Sequence, residues 1–495
     1  MNLETFNTDK KEFEFNIDVR FNTKTPITPR ILKVSEAFGL GVSEEKDFVI
    51  YDDFKIGFSK GDVVFVTGDS GGGKSILLNE IYNKLEFENA TCIDEIKPEA
   101  DEVIIDSIGE TLEEGIYYLS MMGLNDAFIF LRRYKELSDG QKYRYRLAKL
   151  LATKSTHIFI DEFCANLDRT TAKVISYNLQ RVIRKESKVA IVATTHTDIE
   201  EDLNPSVLVK KKFMDELELK YIDYVKKKIS FYDDVVFEVG TMADYKKLSK
   251  YHYKNTKTNF PYIRVVKAMY GREMVGVVVY SPPFLQTKGR TIKYNKKYSS
   301  MTKPVVAEIN KRFVRGSRYV ISPKYRACGL GQKLTLDSME YVKEKETIEI
   351  ITVMGQFNPV FEKIGMDVVP ITEETDPPTI KLDLWMKEKG LDVDEIHNPV
   401  YWKNWVDIQS DEDKVTLKLM TGKVLHHPKI GLSCKDGRRA EVVAQEKRYK
   451  EVDFLEVIEE IKVHIPKLYS GTTIYYVMQN PFYKETTVQT LGDFI

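Results

Sequence analysis

Gly68-Asp69-Ser70-Gly71-Gly72-Gly73-Lys74-Ser75 fits G-x-x-x-x-G-K-[ST], and it constrains what this chain can fold into more than any other stretch. The apolar run Asp62–Thr67 before it reads as a buried strand, and Ile76–Ile81 after it reads as the first turns of a helix. A strand, a glycine-rich turn and a helix N-terminus together make an oxyanion cradle. The glycines let successive N–H groups turn inward, and the helix dipole adds positive character where phosphate oxygens sit. Lys74 then reaches the β- and γ-phosphates, and the Ser75 hydroxyl ligates Mg²⁺. Gly68, Ser70, Gly71, Gly73, Lys74, Ser75 and Ile76 are the first nucleotide-binding candidates.

The length of 495 residues suggests about two to four domains. Net charge is −1, so any nucleic-acid-binding face must be local. No apolar run is long enough to span a bilayer, and the N-terminus lacks a signal-peptide pattern, so a cytoplasmic protein without membrane contact is expected. Cys92, Cys164, Cys328 and Cys434 lie far apart with no C-x-x-C spacing, which argues for reduced thiols and against a zinc ribbon. Phe38 reads as core rather than as a ring stacked on adenine.

Further along the first domain, Leu137-Ser138-Asp139-Gly140-Gln141 precedes a helical pattern. The strand Ile158-Phe159-Ile160 ends in two carboxylates. Asp161 suits Mg²⁺, and Glu162 suits polarising the attacking water. Ala165-Asn166-Leu167-Asp168 follows. The strand Val189–Thr195 delivers His196 to the rim of the sheet, within reach of a γ-phosphate.

These motifs, in this order and spacing, resemble the ABC-type ATPases over about residues 30–220. The resemblance implies ATP and Mg²⁺ as cofactors and a homodimer that sandwiches ATP. In it Ser138, Gly140 and Gln141 of one copy face the nucleotide on Lys74 of the other, with Glu162 and His196 catalytic and Ser75 and Asp161 at the metal. Two departures stand out. Asp139 occupies the second small position of the signature, and no Gln lies between Ser75 and Gln141, so Asp106 is the candidate for that metal-contacting place. With no span of its own, a transporter subunit is disfavoured.

A Lys- and Tyr-rich link, Tyr224–Lys228, opens the second domain. Strand Val235–Val239, a helix over 242–253, a hairpin turning at Tyr270-Gly271-Arg272 and strand Arg318–Pro323 lead into Arg326-Ala327-Cys328-Gly329-Leu330-Gly331-Gln332. Arg326-x-x-Gly329-x-Gly331 at a strand-to-helix turn is a second oxyanion cradle or a capped turn. The arrangement resembles the GNAT acyltransferases over about residues 235–370. That implies acetyl-CoA bound by Arg326, Gly329, Leu330, Gly331 and Gln332. Phe361, in Phe361-Glu362-Lys363-Ile364-Gly365-Met366, stands where that family often has an acidic tyrosine. Asn310–Arg315, Ser322–Arg326 and Met354–Met366 also resemble the acyltransferase relatives of the phage Mu DNA-modification protein Mom, which implies a nucleic-acid substrate.

The residues add their own support. Ten basic residues and one acid, Glu308, lie between Gln286 and Arg318, interleaved with Tyr294, Tyr298 and Phe313. Lys293, Lys296, Lys297, Lys311, Arg312 and Arg315 are the nucleic-acid candidates, with the aromatics as stacking surfaces. Glu308 and His252 are candidate bases. In the third part, Trp402 and Trp405 read as core, His426-His427 as no metal site, Asp436-Gly437 as a hairpin and Phe454–Val463 as a helix.

The expected architecture is α/β: an ABC-type P-loop ATPase domain (1–222), a GNAT-like α+β acyltransferase domain (223–370) and a C-terminal extension (371–495). The expected function is ATP-dependent modification of a nucleic-acid base. An ATP-dependent nucleic-acid clamp without transfer and a protein N-acetyltransferase are the alternatives.

Overall fold

The computed structural model describes residues 11–23, 27–39, 46–85, 89–212, 217–252, 260–353, 355, 359–371, 377–392, 395, 398–425 and 473–484. The readings at His426-His427, Asp436-Gly437 and Phe454–Val463 lie outside them. The chain divides into two compact units, 1–283 with 310–348 and 479–495, and 284–309 with 349–478.

In the first unit the chain begins with β1 (Phe13–Thr23), helix α1 (Pro29–Phe38) and β2 (Lys46–Phe58), and β1 and β2 pair antiparallel. The alternation Phe13, Phe15, Ile17, Val19 was a legible period-2 strand signal. Then come β3 (Val63–Gly68), α2 (Lys74–Lys84), β4 (Ala90–Cys92), α3 (Leu112–Met121), α4 (Ala127–Phe130), α5 (Asp139–Ala152) and β5 (His157–Ile160). Next are α6 (Arg169–Glu186), β6 (Val189–Ala193), α7 (Glu200–Leu203), β7 (Val207–Lys211) and β8 (Leu217–Tyr221). These strands make a sheet of order β4-β5-β6-β3-β7-β8, parallel except for the β7–β8 pair.

Both faces of this sheet are buried, so its strands are continuous apolar runs rather than alternating ones. Val63, Phe65, Ile158, Ile160 and Val192 pack with residues of α3, α5 and α6. Val64, Val66, Phe159, Ile191 and Ala193 pack on the opposite face with α2 and the β1–β2 pair.

The Lys- and Tyr-rich link is docked on α6 and α7. Asp202, buried, accepts from the Ser230 amide at 2.7 Å and its hydroxyl at 2.9 Å. The Arg184 guanidinium lies 4.1 Å from the centre of the Tyr224 ring.

After the link come β9 (Val235–Val239), α8 (Met242–Ser249), β10 (Arg264–Tyr270) and β11 (Glu273–Ser281). In sequence, α9 (Lys288–Lys293) of the second unit and α10 (Lys303–Arg312), which begins in the second unit, precede β12 (Phe313–Ile321) and α11 (Leu330–Ser338) of the first. Strands β9 to β12 form an antiparallel meander with the hairpin where the glycine at 271 predicts it. Tyr245 and Leu248 of α8 pack on Val265, Val277, Val279 and Val320. On α11, the Ser338 hydroxyl pairs with the Tyr280 hydroxyl at 2.8 Å.

In the second unit, β14 (Asp367–Ile371) pairs antiparallel with β15 (Thr473–Gln479); β13 (Thr347–Thr352) precedes them in sequence. Trp402 and Trp405 are buried and stack at 5.7 Å, as a core reading requires. Arg290, one of the ten basic residues, is buried. Its Nε and Nη2 bind both oxygens of the buried Glu349 at 2.7 and 2.6 Å, and Nη1 donates to the Phe284 carbonyl at 2.8 Å. The Tyr475 hydroxyl donates to the same carboxylate.

Removing one member of a buried ion pair leaves an uncompensated charge, which costs about 3–5 kcal/mol. Glu349→Gln is therefore expected to lower the unfolding free energy of the full chain, measured by urea denaturation, by that amount. The double variant Arg290→Met/Glu349→Leu is expected to lose much less. Equal losses in both would contradict this assignment.

Candidate functional site

Register decides where the functional residues collect. In the parallel pairing Ile160 lies beside Val192, and Val66 lies beside Ala193. The segments following β5, β6 and β3 therefore leave the sheet along one edge, its C-terminal edge. They carry Asp161 and Glu162, His196, and the phosphate loop, and that edge is where parallel α/β sheets bind ligands.

The phosphate loop is shaped by crowding. At Gly68, φ is +134°, and a Cβ there would sit 1.7 Å from the Lys211 carbonyl oxygen. At Gly73, φ is +92°, and a Cβ would meet Ile50 Cγ2 at 2.6 Å. Gly73 starts α2 with no side-chain cap, which leaves the first N–H groups of the helix for a ligand. The Tyr51 hydroxyl, buried under the loop, donates to the Gly73 carbonyl at 3.1 Å. Ile50, Tyr51 and Lys211 support the loop, yet no motif marks them in the sequence. Lys74 curls back and donates to the carbonyls of Gly68 at 3.1 Å and Asp69 at 2.6 Å. Partial burial lowers its pKa, while the charges of Asp161 and Asp69 act against that shift. Ser75 and Ile76 follow in the first turn, with Ser70 and Gly71 at the tip of the loop.

Glu162 is exposed and takes a left-handed backbone with φ of +47°. Its amide donates to Asp161 Oδ1 at 2.8 Å. His196 is half-buried, and its amide donates to the Thr194 hydroxyl at 3.3 Å. Ser138 caps α5 in a reciprocal box with Gln141. The Ser138 amide donates to Gln141 Oε1 at 3.0 Å, and the Gln141 amide donates to Ser138 Oγ at 3.4 Å. Arg144 braces Gly140 through its carbonyl at 3.1 Å. Asp139 points into solvent, so its charge does not disturb the cap. Asp106 is exposed in a turn, where its amide donates to the Val103 carbonyl at 3.1 Å. Phe38 is 75% exposed, which overturns its reading as core.

The second cradle divides into two parts. Gly329, at φ of +93°, starts α11 with no side-chain cap, the same build as Gly73 before α2. Gly329 lies against the Tyr232 ring, and the ammonium groups of Lys228 and Lys333 lie 4.3 and 5.0 Å from that ring's centre. The Gln332 amide donates to the Gly329 carbonyl at 3.1 Å and is therefore used inside the helix. The Arg326 side chain is taken up inside the fold. Its guanidinium donates to three backbone carbonyls, because a partly buried cation must satisfy its desolvated donors locally.

The basic stretch is less available than its sum of charges. Lys293 pairs with Asp367 at 2.9 Å, Lys297 with Glu308 at 3.1 Å, and Arg312 binds Glu346 with two prongs. Tyr298 and Phe313 are buried, so they do not offer stacking faces. Lys296 and Lys311 are exposed, and Arg315 is half-buried. Glu308, paired with Lys297 and accepting from the Tyr298 hydroxyl at 3.2 Å, is held as a structural acid.

Gly68→Ala is expected to abolish nucleotide binding, since the new methyl meets backbone. Gly71, at φ of +76° with open space around it, is different. Gly71→Ala is expected to cost only about 1–2 kcal/mol of backbone strain and to keep measurable ATP affinity. Titration with a fluorescent ATP analogue separates the two, and equal tolerance would contradict the crowding account.

No protein-family model matches the chain. An ABC transporter ATP-binding protein of Mycoplasma pneumoniae is 24% identical over 213 residues, 34% of this chain and 34% of that protein. The energy-coupling factor transporter ATP-binding protein EcfA1 of Clostridioides difficile is 25% identical over 204 residues, 34% of this chain and 72% of that protein. The chain thus spans about a third of the first relative's length. A solved dimeric bacterial ABC transporter cassette is similar at 17% identity and a TM-score of 0.28, over 34% of this chain and 88% of that one. Among the described residues no helix is long and apolar enough to cross a membrane. Over about a third of its length the chain is similar to ABC-type ATP-binding proteins, and the phosphate loop, Asp161, Glu162 and His196 lie within that third.

Proposed function

We propose that the chain is an ABC-type ATPase that acts as a homodimer and drives a GNAT-like module, residues 223–370. That module transfers an acyl-derived group, with acetyl-CoA as its expected donor, to a base of DNA or RNA. The observation that carries this reading is the repeated cradle: α2 and α11 each start at a left-handed glycine with no side-chain cap, after a strand and a tight turn.

In the ATPase half, Lys74 and the loop amides bind the phosphates of one nucleotide. Ser138 and Gly140 of the second copy cover its γ-phosphate. Glu162 takes the proton of the attacking water, and His196 holds the γ-phosphate oxygen. Ser75 and Asp161 offer the hard oxygen donors that Mg²⁺ takes, and the ion would neutralise phosphate charge there.

In the second module the backbone at Gly329–Gly331 holds the CoA pyrophosphate, with Lys228 as the nearby cation and Lys333 shared with Asp337 at 3.1 Å. The acceptor nitrogen bonds to the thioester carbonyl, the C–S bond breaks, and CoA leaves as a thiolate. The acceptor's proton passes to solvent. Lys311, exposed on the same unit as the ATPase half, meets nucleic-acid phosphates.

One observation favours a second reading. The commitment of Arg326 to carbonyls suits an ATP-gated nucleic-acid binder that transfers nothing.

Nucleosides from cells expressing the wild type, Lys74→Ala and Gly331→Glu are to be weighed. A new mass present only with the wild type is expected. An unchanged wild-type profile, with ATP-dependent retention of nucleic acid by the purified protein, would overturn transfer in favour of the binder.

A further inference from the structure

Between β12 and α11 the turn Ser322–Gly329 sends two cations into the ATPase half of its own unit. Arg326 Nη1 donates to the Asn125 carbonyl at 2.7 Å, Nε to the Ile321 carbonyl at 2.8 Å and Nη2 to the Tyr251 carbonyl at 3.1 Å. One side chain therefore ties the end of β12 and the segment after α8 to the link between α3 and α4. Burial works against the Arg326 charge and lowers its pKa.

The α3–α4 link is joined in turn to the signature. Arg144 of α5 donates to the Gly123 carbonyl at 2.9 Å and to the Gly140 carbonyl at 3.1 Å. On the other side of the turn, Lys324 Nζ lies 3.7 Å from Asp168 Oδ1. Asp168 ends the Ala165–Asp168 loop and caps α6 by accepting from the Thr171 amide at 3.1 Å. Burial acts to raise the Asp168 pKa, but the Thr171 hydrogen bonds and the charges of Lys324 and Arg144 bring it below the ordinary value. Arg169, the next residue, grips both oxygens of Asp198, two positions beyond His196. A third tie comes from Arg181 of α6, which donates to the Ala327 carbonyl at 3.0 Å; Ala327 itself is left-handed at φ of +62°.

We propose that Lys324 and Arg326 are positioning residues for ATP hydrolysis: the turn of the second sheet holds the approach to the signature and the Ala165–Asp168 loop in place. This rests on the ATPase reading above. In the reading above the phosphate loop binds the nucleotide before the second copy closes on it, and neither Lys324 nor Arg326 touches that loop. Loss of either tie therefore leaves nucleotide affinity intact and misplaces the groups that complete the reacting geometry, a fault that appears in rate.

The test is steady-state ATP hydrolysis by the full chain beside titration with a fluorescent ATP analogue. Lys324→Ala and Arg326→Lys are expected to lower kcat by about 2- to 30-fold with unchanged nucleotide affinity. Lys324→Arg is expected to restore the rate. The Lys324–Asp168 pair is half-exposed, so Lys324→Ala is expected to melt with the wild type. If Arg326→Lys does not fold, the Lys324 series decides. An unchanged kcat in folded variants, or a loss that follows nucleotide affinity, overturns the positioning role. A wild-type rate no higher than that of Glu162→Gln overturns the ATPase reading and this proposal with it.

Discussion

Three parallel strands in one register determine where the chemistry of this chain gathers. Because β5, β6 and β3 are neighbours and end level, two carboxylates, a histidine and a phosphate loop far apart in sequence emerge on one edge. The loop's shape then follows from exclusion. The Lys211 carbonyl occupies the space that a side chain at 68 would need, so β7 acts as a template for the turn. The Tyr51 hydroxyl holds it from below. A cradle made this way needs little from its own side chains, and its first helical N–H groups stay available for an anion.

Much of that edge was legible because each part leaves a local signature. Glycines are required where φ is positive, and two carboxylates end an apolar run. The supports were not legible. Ile50, Tyr51 and Lys211 act through tertiary contact, which has no spacing rule. The β1–β2 pair was a different kind of omission, since the alternation from Phe13 to Val19 carries period 2 and needed only to be counted. Phe38 went the other way, because aromatic character alone does not determine burial and this ring projects from the end of its helix.

Charge was misread for a related reason. Ten cations against one acid in sequence is a true sum, but charge is neutralised in space. Glu346, Glu349 and Asp367 lie outside the stretch and pair with Arg312, Arg290 and Lys293. Arg290 shows the extreme. Its burial is tolerable only because a carboxylate and a carbonyl meet its donors, so a residue counted as surface charge is an internal strut.

The motif Arg326-x-x-Gly329-x-Gly331 carries two separable physical demands. The glycine at 329 answers a backbone demand, a left-handed start to α11, and this is met where the spacing puts it. The arginine answers a demand for donors, and any set of acceptors will satisfy it. With Asn125, Ile321 and Tyr251 carbonyls within reach, the guanidinium is satisfied inside the fold, and desolvation makes exchanging them for a ligand costly. Sequence spacing therefore reports the backbone half of such a motif more reliably than the side-chain half. The same arginine that resembles an anion ligand becomes, by its acceptors, a joint between two parts of one unit.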